Sequence, residues 1–406
     1  MAAMAEEGPS GPNPFEGMPI FSDLARMFSQ QGPVNWDVAR QIAHWLATDG
    51  QPEPNVDPTE RMRLEELLRV ADLRVVDATG LSSSTTGRVI AVVPVTRAQW
   101  AGRALDDHKR LLERLATSLQ GSDARGAPED VDALGRPDPT TDLLGNLGQM
   151  MAPVLLGMQS GFMTGHLAKR ALGQYDVPIP RPPSDELAVV PANIDAFASE
   201  WSLPVDDVRL WVCLREVTYH ALLGRPHVRS ALDGLLDDYV SGFEVDADAL
   251  ESSFGSFDPA DPAGLQELLG NPETLLGALQ TDAQRRTLGR IETLTTVMAG
   301  YVDQVMDSVG ATLIGTYSML TEALRRRRVE ATEADKFVER LLGLELGQPQ
   351  YQRGTAFARG VVERAGVAGL NRLWESAEHL PTAAELDAPG LWLARIDLPS
   401  DLEDGS

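Results

Sequence analysis

Apolar residues recur every three or four positions through "NWDVARQIAHWLATDG" and "PTERMRLEELLRVADLRVVDATG", the spacing of one helix face. The first segment has Asn35 where an N-cap belongs and Gly50 as a stop, so its ends are predicted as well as its interior. A shorter pattern, "FSDLARMFSQ", precedes both. The β-branched run in "GRVIAVVPVTRAQW" predicts a strand, after which "ALDDHKRLLERLATSLQ" returns to helical spacing. The segment "MMAPVLLGMQSGFMTGHLAKRALGQYD" is long enough to cross a bilayer. Gln159, Ser160, Thr164 and His166 interrupt it, however, and a buried central helix is the better prediction. In that helix Gly157, Gly161 and Gly165 form a ridge without side chains, where another backbone can approach closely. A Pro-rich turn "DVPIPRPPSDE", a short strand "LAVVPANI" and the helix "LWVCLREVTYHALLGRPHVRSAL" follow. One long helical pattern then runs from Asp282 to about Arg328, and "ATEADKFVERLLGLE" and "YQRGTAFARGVVERAGVAGLNRLWESAEHLPT" add helices near the end.

The elements sum to a mainly α chain with a small β component and no internal repeat. Residues 1–18, rich in Gly, Pro, Ser and Glu, are expected to be a disordered tail. Residues 19–120 form an N-terminal helical region with a short β element, 121–142 a flexible loop without apolar period, and 143–328 the core. Residues 329–396 form a C-terminal helical region, and 397–406 an acidic tail.

Composition narrows the partners. The balance of 35 basic against 60 acidic residues leaves a net charge of -25, which repels phosphate backbones and anionic headgroups and argues against nucleic acid and membranes. The single cysteine, Cys213, lies in the apolar run "LWVCL" and reads as a buried thiol. The N-terminus carries acids and prolines where a signal peptide needs a basic start and an apolar core, which makes the cytoplasm the expected location.

The candidate chemistry lies on the helix at 210–232. Arg215, Glu216, Val217, Thr218 and Tyr219 occupy the frame of an H-E-x-x-H zinc motif, in which two imidazoles at i and i+4 bind the metal and the glutamate serves as general base. Arginine has no lone pair to give a metal, and tyrosine ligates only as phenolate. Glu216 and His220 are also i and i+4, so a relocated site with His227 or Asp303 as third group is an alternative to a side-chain pair without metal. Asp303 and Asp307 read as a solvated pair, and Arg325 to Arg328 as an exposed run paired with nearby acids.

Five segments carry a resemblance that spans almost the whole chain: "GPVNWDVARQIA", "LLGMQSGFMTGHLAKRALGQYDVPIP", "LREVTYHALLGRPHVR", "VMAGYVDQVMDSVG" and "YQRGTAFARGVVERAGVAGLNRLWESAEHLPTAAEL". The sequence resembles the actinobacterial zincin-like family of hydrolases and zinc-dependent metalloproteases, some of whose members are named for deazaflavin-coenzyme biosynthesis. The resemblance implies a mostly helical zincin-like fold, a core at 143–328 and, in active members, bound zinc. It places the first histidine at Arg215, the general base at Glu216, the second histidine at Tyr219 and a further histidine at His220. A later E-G-H segment falls on Ala299, Gly300 and Tyr301. The expectation is a catalytically degenerate protein without zinc, with a binding or regulatory role and a protein or peptide as partner, and with Arg215 in the metal position paired to Asp303 or, next, Glu216. An active metallohydrolase with unusual ligands and an enzyme of another class reusing the cleft are the alternatives.

Overall fold

The computed structural model describes residues 32–126, 139–242, 281–329, 344 and 346–398. The expected tail at 1–18, the short helix at 21–30 and the passage around 254–273 lie outside the described residues. So do most of the helix at 331–345 and residues 399–406.

The fold is mainly α. Among the described residues its α-helices of four or more residues are α1 (Trp36–Thr48), α2 (Pro58–Thr79), α3 (Arg97–Gly126), α4 (Pro139–Arg170), α5 (Pro191–Glu200), α6 (Val205–Leu223), α7 (Pro226–Ser241), α8 (Asp282–Val305), α9 (Tyr317–Val329), α10 (Gln348–Asn371), α11 (Ala383–Leu386) and α12 (Pro389–Ile396). Strands β1 (Ala91–Pro94) and β2 (Glu186–Val189) form a two-stranded parallel sheet in the register Ala91 to Glu186 through Pro94 to Val189. Among the described residues no helix is long and apolar enough to cross a membrane.

Local chemistry sets the helix ends where the sequence put them. The Asn35 side chain accepts from the Val38 amide at 3.1 Å, satisfying one of the free donors at the start of α1. Asp49 and Gly50 close that helix in the left-handed region. The glycine ridge of α4 lies against α1. A Cβ at Gly161 would stand 2.6 Å from the Ala39 carbonyl oxygen and one at Gly165 2.7 Å from the Leu46 Cβ, while one at Gly157 would collide with the Asn35 carbonyl. The same close approach lets the Asn35 amide donate to the Pro153 carbonyl at 2.8 Å.

Two expectations change. The segment 121–142 is helical at both ends, since α3 runs to Gly126 and α4 begins at Pro139, and residues 127–138 lie outside the described part. The pattern expected to run unbroken from Asp282 to Arg328 is interrupted. A π-helical turn, Met306–Gly310, widens α8, and Ile314 is extended before α9 begins. Asp207, in the first turn of α6, takes hydrogen bonds from the Thr316 amide at 3.0 Å and its hydroxyl at 2.6 Å, which secures the break.

The chain after α4 turns back onto β2. The Val190 amide donates to the Leu172 carbonyl at 3.0 Å, and the Asn193 side chain caps the Ala168 and Ala171 carbonyls at 2.8 and 2.7 Å. This return holds Gly173, Tyr175 and Asp176 beside α6.

Candidate functional site

Helix α6 is buried on nearly every side, from Val208 and Trp211 to Leu223, as expected of a helix at the centre of a domain. A charged anchor near its start is Arg209, whose guanidinium meets Glu60 at 2.6 Å, Asp206 at 2.9 Å and Asp195 at 3.0 Å and so fixes α6 to α2 and α5. The register of α6 is therefore set independently of the residues that follow.

Glu216 is 1% exposed, and both its oxygens are engaged. One accepts from the Tyr175 amide at 2.8 Å and the other from Arg215 Nη1 at 3.1 Å. Gly173 makes room for the carboxylate, because a Cβ there would lie 2.6 Å from Oε1. Burial pushes the Glu216 pKa up to about 7. Asp176 adds to that rise, while Arg215 and the Tyr175 amide oppose it.

The Arg215 guanidinium also lies 3.4 Å from Asp176, which is held by the amides of Leu172 and Gly173. It covers the Tyr219 ring at 4.8 Å and the Trp211 ring at 5.9 Å, the i±4 neighbours on its own helix face. The expected first partner, Asp303, makes no ion pair with it. Asp176 is presented directly to α6 by the return from α4, whereas Asp303 stays on α8.

Tyr175 joins the second surviving position to the first. Its hydroxyl meets His220 Nδ1 at 2.8 Å and its ring stacks on Tyr219 with centroids 6.2 Å apart, while its amide holds Glu216. His220 is buried, its pKa is lowered by burial to about 4, and among the described residues its Nε2 has no hydrogen-bond partner. His227 sits beyond the end of α6, on α7, where it feels Arg225 and His379 and takes no part around Glu216.

The later segment is equally specific. Gly300 touches α10 through Gly354, and a Cβ on it would lie 2.7 Å from the Gly354 Cα. Ala299 is buried. Tyr301, the last position of that segment, turns to α10, donating to Asn371 Oδ1 at 2.8 Å and meeting Trp374 edge-on at 5.2 Å, because the Gly300 crossing aims its side chain there. Asp303 has a pKa raised by burial, with Arg328 opposing that rise and Asp307 adding to it. Asp307 accepts from the Tyr317 hydroxyl at 2.8 Å.

The arginine run splits into two pairs. Arg325 and Arg326 are exposed and paired with Glu322. Arg327, half-buried, lies over Phe197 at 5.2 Å, while Arg328 lies over Tyr351 at 4.4 Å and stays exposed. Among the described residues, no three His, Cys, Asp or Glu side chains are grouped to hold a metal ion. Residues that sequence reasoning missed are Gly173, Tyr175 and Asp176, about forty positions upstream of Glu216; the only signal was their place at the end of the glycine-ridge helix.

The sequence matches the family described as zincin-like metallopeptidases over residues 34–393. A solved structure from Chloroflexus aurantiacus, described as a putative hydrolase with a novel fold, superposes with a TM-score of 0.59 at 23% sequence identity, covering 90% of this chain and 99% of that one. At that identity the likeness is one of fold. No curated protein sequence matches.

Proposed function

The chain belongs to the zincin-like metallopeptidase family, and we propose that it is a catalytically degenerate member that works by binding a protein or peptide. The observation that carries this reading is the Arg215 guanidinium, which donates to the buried carboxylate of Glu216 where an active member would have a metal ligand beside its base. A permanent cation repels Zn²⁺ and offers it no electron pair.

The other donors fit no better. Both Glu216 oxygens are taken, Ala299 has no donor, and the Tyr301 hydroxyl is committed to Asn371. Burial raises the Tyr219 pKa, which keeps the phenolate a metal would need out of reach. A tetrahedral zinc site wants three or four neutral or anionic ligands, and this donor set does not supply them.

Metal analysis of protein purified without chelator tests the reading. We expect no zinc to survive dialysis; stoichiometric zinc that is lost on Glu216→Gln or His220→Ala would overturn it. Arg215→His, Tyr219→His and Ala299→Glu together should create zinc affinity, whereas any one alone should not.

A second reading, an active metallohydrolase with non-standard ligands, draws on the unpartnered Nε2 of His220 and on the Glu216 pKa of about 7, suited to a general base. The first reading is preferred because Tyr175 already engages both residues. The same metal analysis separates the two.

A further inference from the structure

Helix α2 is apolar on two opposite sides. At about 100° per residue, Leu64, Leu68, Ala71, Val75 and Thr79 make the face that packs into the core. Met62, Val70, Leu73 and Val76 lie on the other side and remain in solvent, Leu73 at 69% and Met62 at 58% exposure. Among the described residues nine large apolar side chains are exposed, and four of them fall on this one helix, so the stripe is a patch rather than the usual scatter of single residues. A helix apolar on both sides is suited to being covered on both.

The residues of the stripe indicate what covers it. Thr59, Met62, Glu66, Arg69, Leu73 and Val76, all exposed, follow one another at alternating intervals of three and four, the seam of a two-stranded coiled coil. The seam is complementary to itself in the antiparallel sense. About a twofold axis between Leu67 and Leu68, Met62 of one chain meets Leu73 of the other, Val76 meets Thr59, and Glu66 meets Arg69, each contact occurring twice. A parallel pairing would set Glu66 on Glu66 and Arg69 on Arg69, so the charges select the antiparallel orientation. At the edges of the seam Asp72 accepts from the Ser83 hydroxyl and Arg63 lies 3.8 Å from Asp206, which turns both charges toward their own chain. An unrelated apolar partner would have no need of an acid and a base at reciprocal positions.

We propose that the outer face of α2 is a homodimer interface, in which two copies of this chain pair through an antiparallel α2–α2 seam. From Met62 to Val76 the seam is about 21 Å long at about 1.5 Å per residue, a contact at the small end of specific interfaces. The dimer should therefore exchange with monomer at micromolar concentration.

Sedimentation velocity of the full chain between about 1 and 100 µM tests the proposal. The wild type should pass from monomer to dimer across that range. Leu73→Glu should raise the dissociation constant at least about tenfold with an unchanged melting temperature, because the residue is exposed in the monomer. Glu66→Arg alone and Arg69→Glu alone should each weaken the dimer, since like charges then meet across the seam. An equimolar mixture of these two variants should regain it, each chain with two arginines facing a chain with two glutamates, and the double variant should dimerise as the wild type does. A wild type that stays monomeric throughout, a dimer that Leu73→Glu leaves intact, or a mixture that dimerises no better than either single variant would overturn the proposal. So would a monomer whose melting temperature falls on Leu73→Glu, which would place another part of the same chain over the stripe.

Discussion

Replacing Arg215 by methionine keeps much of the side-chain volume over Tyr219 and Trp211 but removes the charge beside Glu216. Breaking a buried ion pair usually costs about 3–5 kcal/mol, because the remaining charge is stranded. Glu216 has an escape, since it can take a proton, and its pKa already stands at about 7 against an ordinary 4.5. At pH 6 the folded wild type therefore carries a mostly protonated Glu216, and losing Arg215 changes its ionisation little. What remains is the loss of the contact to Asp176 and of the cation over two rings, about 1 kcal/mol. At pH 8.5 the wild-type carboxylate is ionised and relies on Arg215. In the variant it must stay protonated, and with about 1.4 kcal/mol per pH unit above the wild-type pKa this adds roughly 2 kcal/mol. The loss on Arg215→Met should thus grow from about 1 to about 3 kcal/mol between pH 6 and pH 8.5. Urea unfolding at the two pH values measures it, and adding Glu216→Gln should abolish the growth. A loss equal at both pH values, or a growth that survives Glu216→Gln, would refute the linkage between these two residues.

The other predictions use the same logic of close contact and buried charge. Gly161→Ala should destabilise the fold by about 3 kcal/mol, because its methyl would meet the Ala39 carbonyl. Gly102→Ala on α3, with nothing within 4 Å, should be neutral or stabilise by about 0.5 kcal/mol; chemical denaturation compares them. His108 and His220 have pKa values lowered by burial to about 3 and about 4 from 6.5. The stability they confer is complete above pH 6.5 and falls as pH drops from 6.5 toward those values, by about 1.4 kcal/mol per unit for each. Glu216 works in the opposite sense, its burial favouring the fold below pH 4.5 and costing progressively more up to about pH 7. Replacing both histidines by glutamine should flatten or reverse the pH dependence of stability between pH 6 and pH 4.5, and an unchanged slope would refute their being buried neutral.

The parts of the fold that were legible in the sequence are those set locally. Asn35 caps α1, Pro58 opens α2, and the four-residue glycine spacing of α4 meets the backbone of α1, all from short-range chemistry. The break at Ile314 was hidden because the apolar spacing continues across it, and the deciding partner, Asp207, is about a hundred residues away. At the site, the positions on α6 were readable from helical spacing, but the acid that Arg215 chooses was not. Asp176 reaches it through a turn whose course depends on β2, whereas Asp303, nearer in pattern, remains on a separate helix. The direction of Tyr301 was likewise beyond sequence, since it follows from the Gly300 and Gly354 backbones meeting.

The parallel pairing of β1 with β2 also bears on the time at which the site comes into being. Ala91 meets Glu186 only after nearly a hundred residues of intervening chain, including α3 and α4, have been brought into place, and contacts of such long range form late in folding. The segment that supports Glu216, from Gly173 to Asp176, hangs from the edge of β2 through the Gly173–Val189 bridge and the Val190 amide. The helices should therefore appear well before the carboxylate finds its amide and its guanidinium. In stopped-flow refolding, helical dichroism should precede the step whose rate responds to Glu216→Gln at high pH, so that the surroundings of Glu216 are completed only at the end of folding.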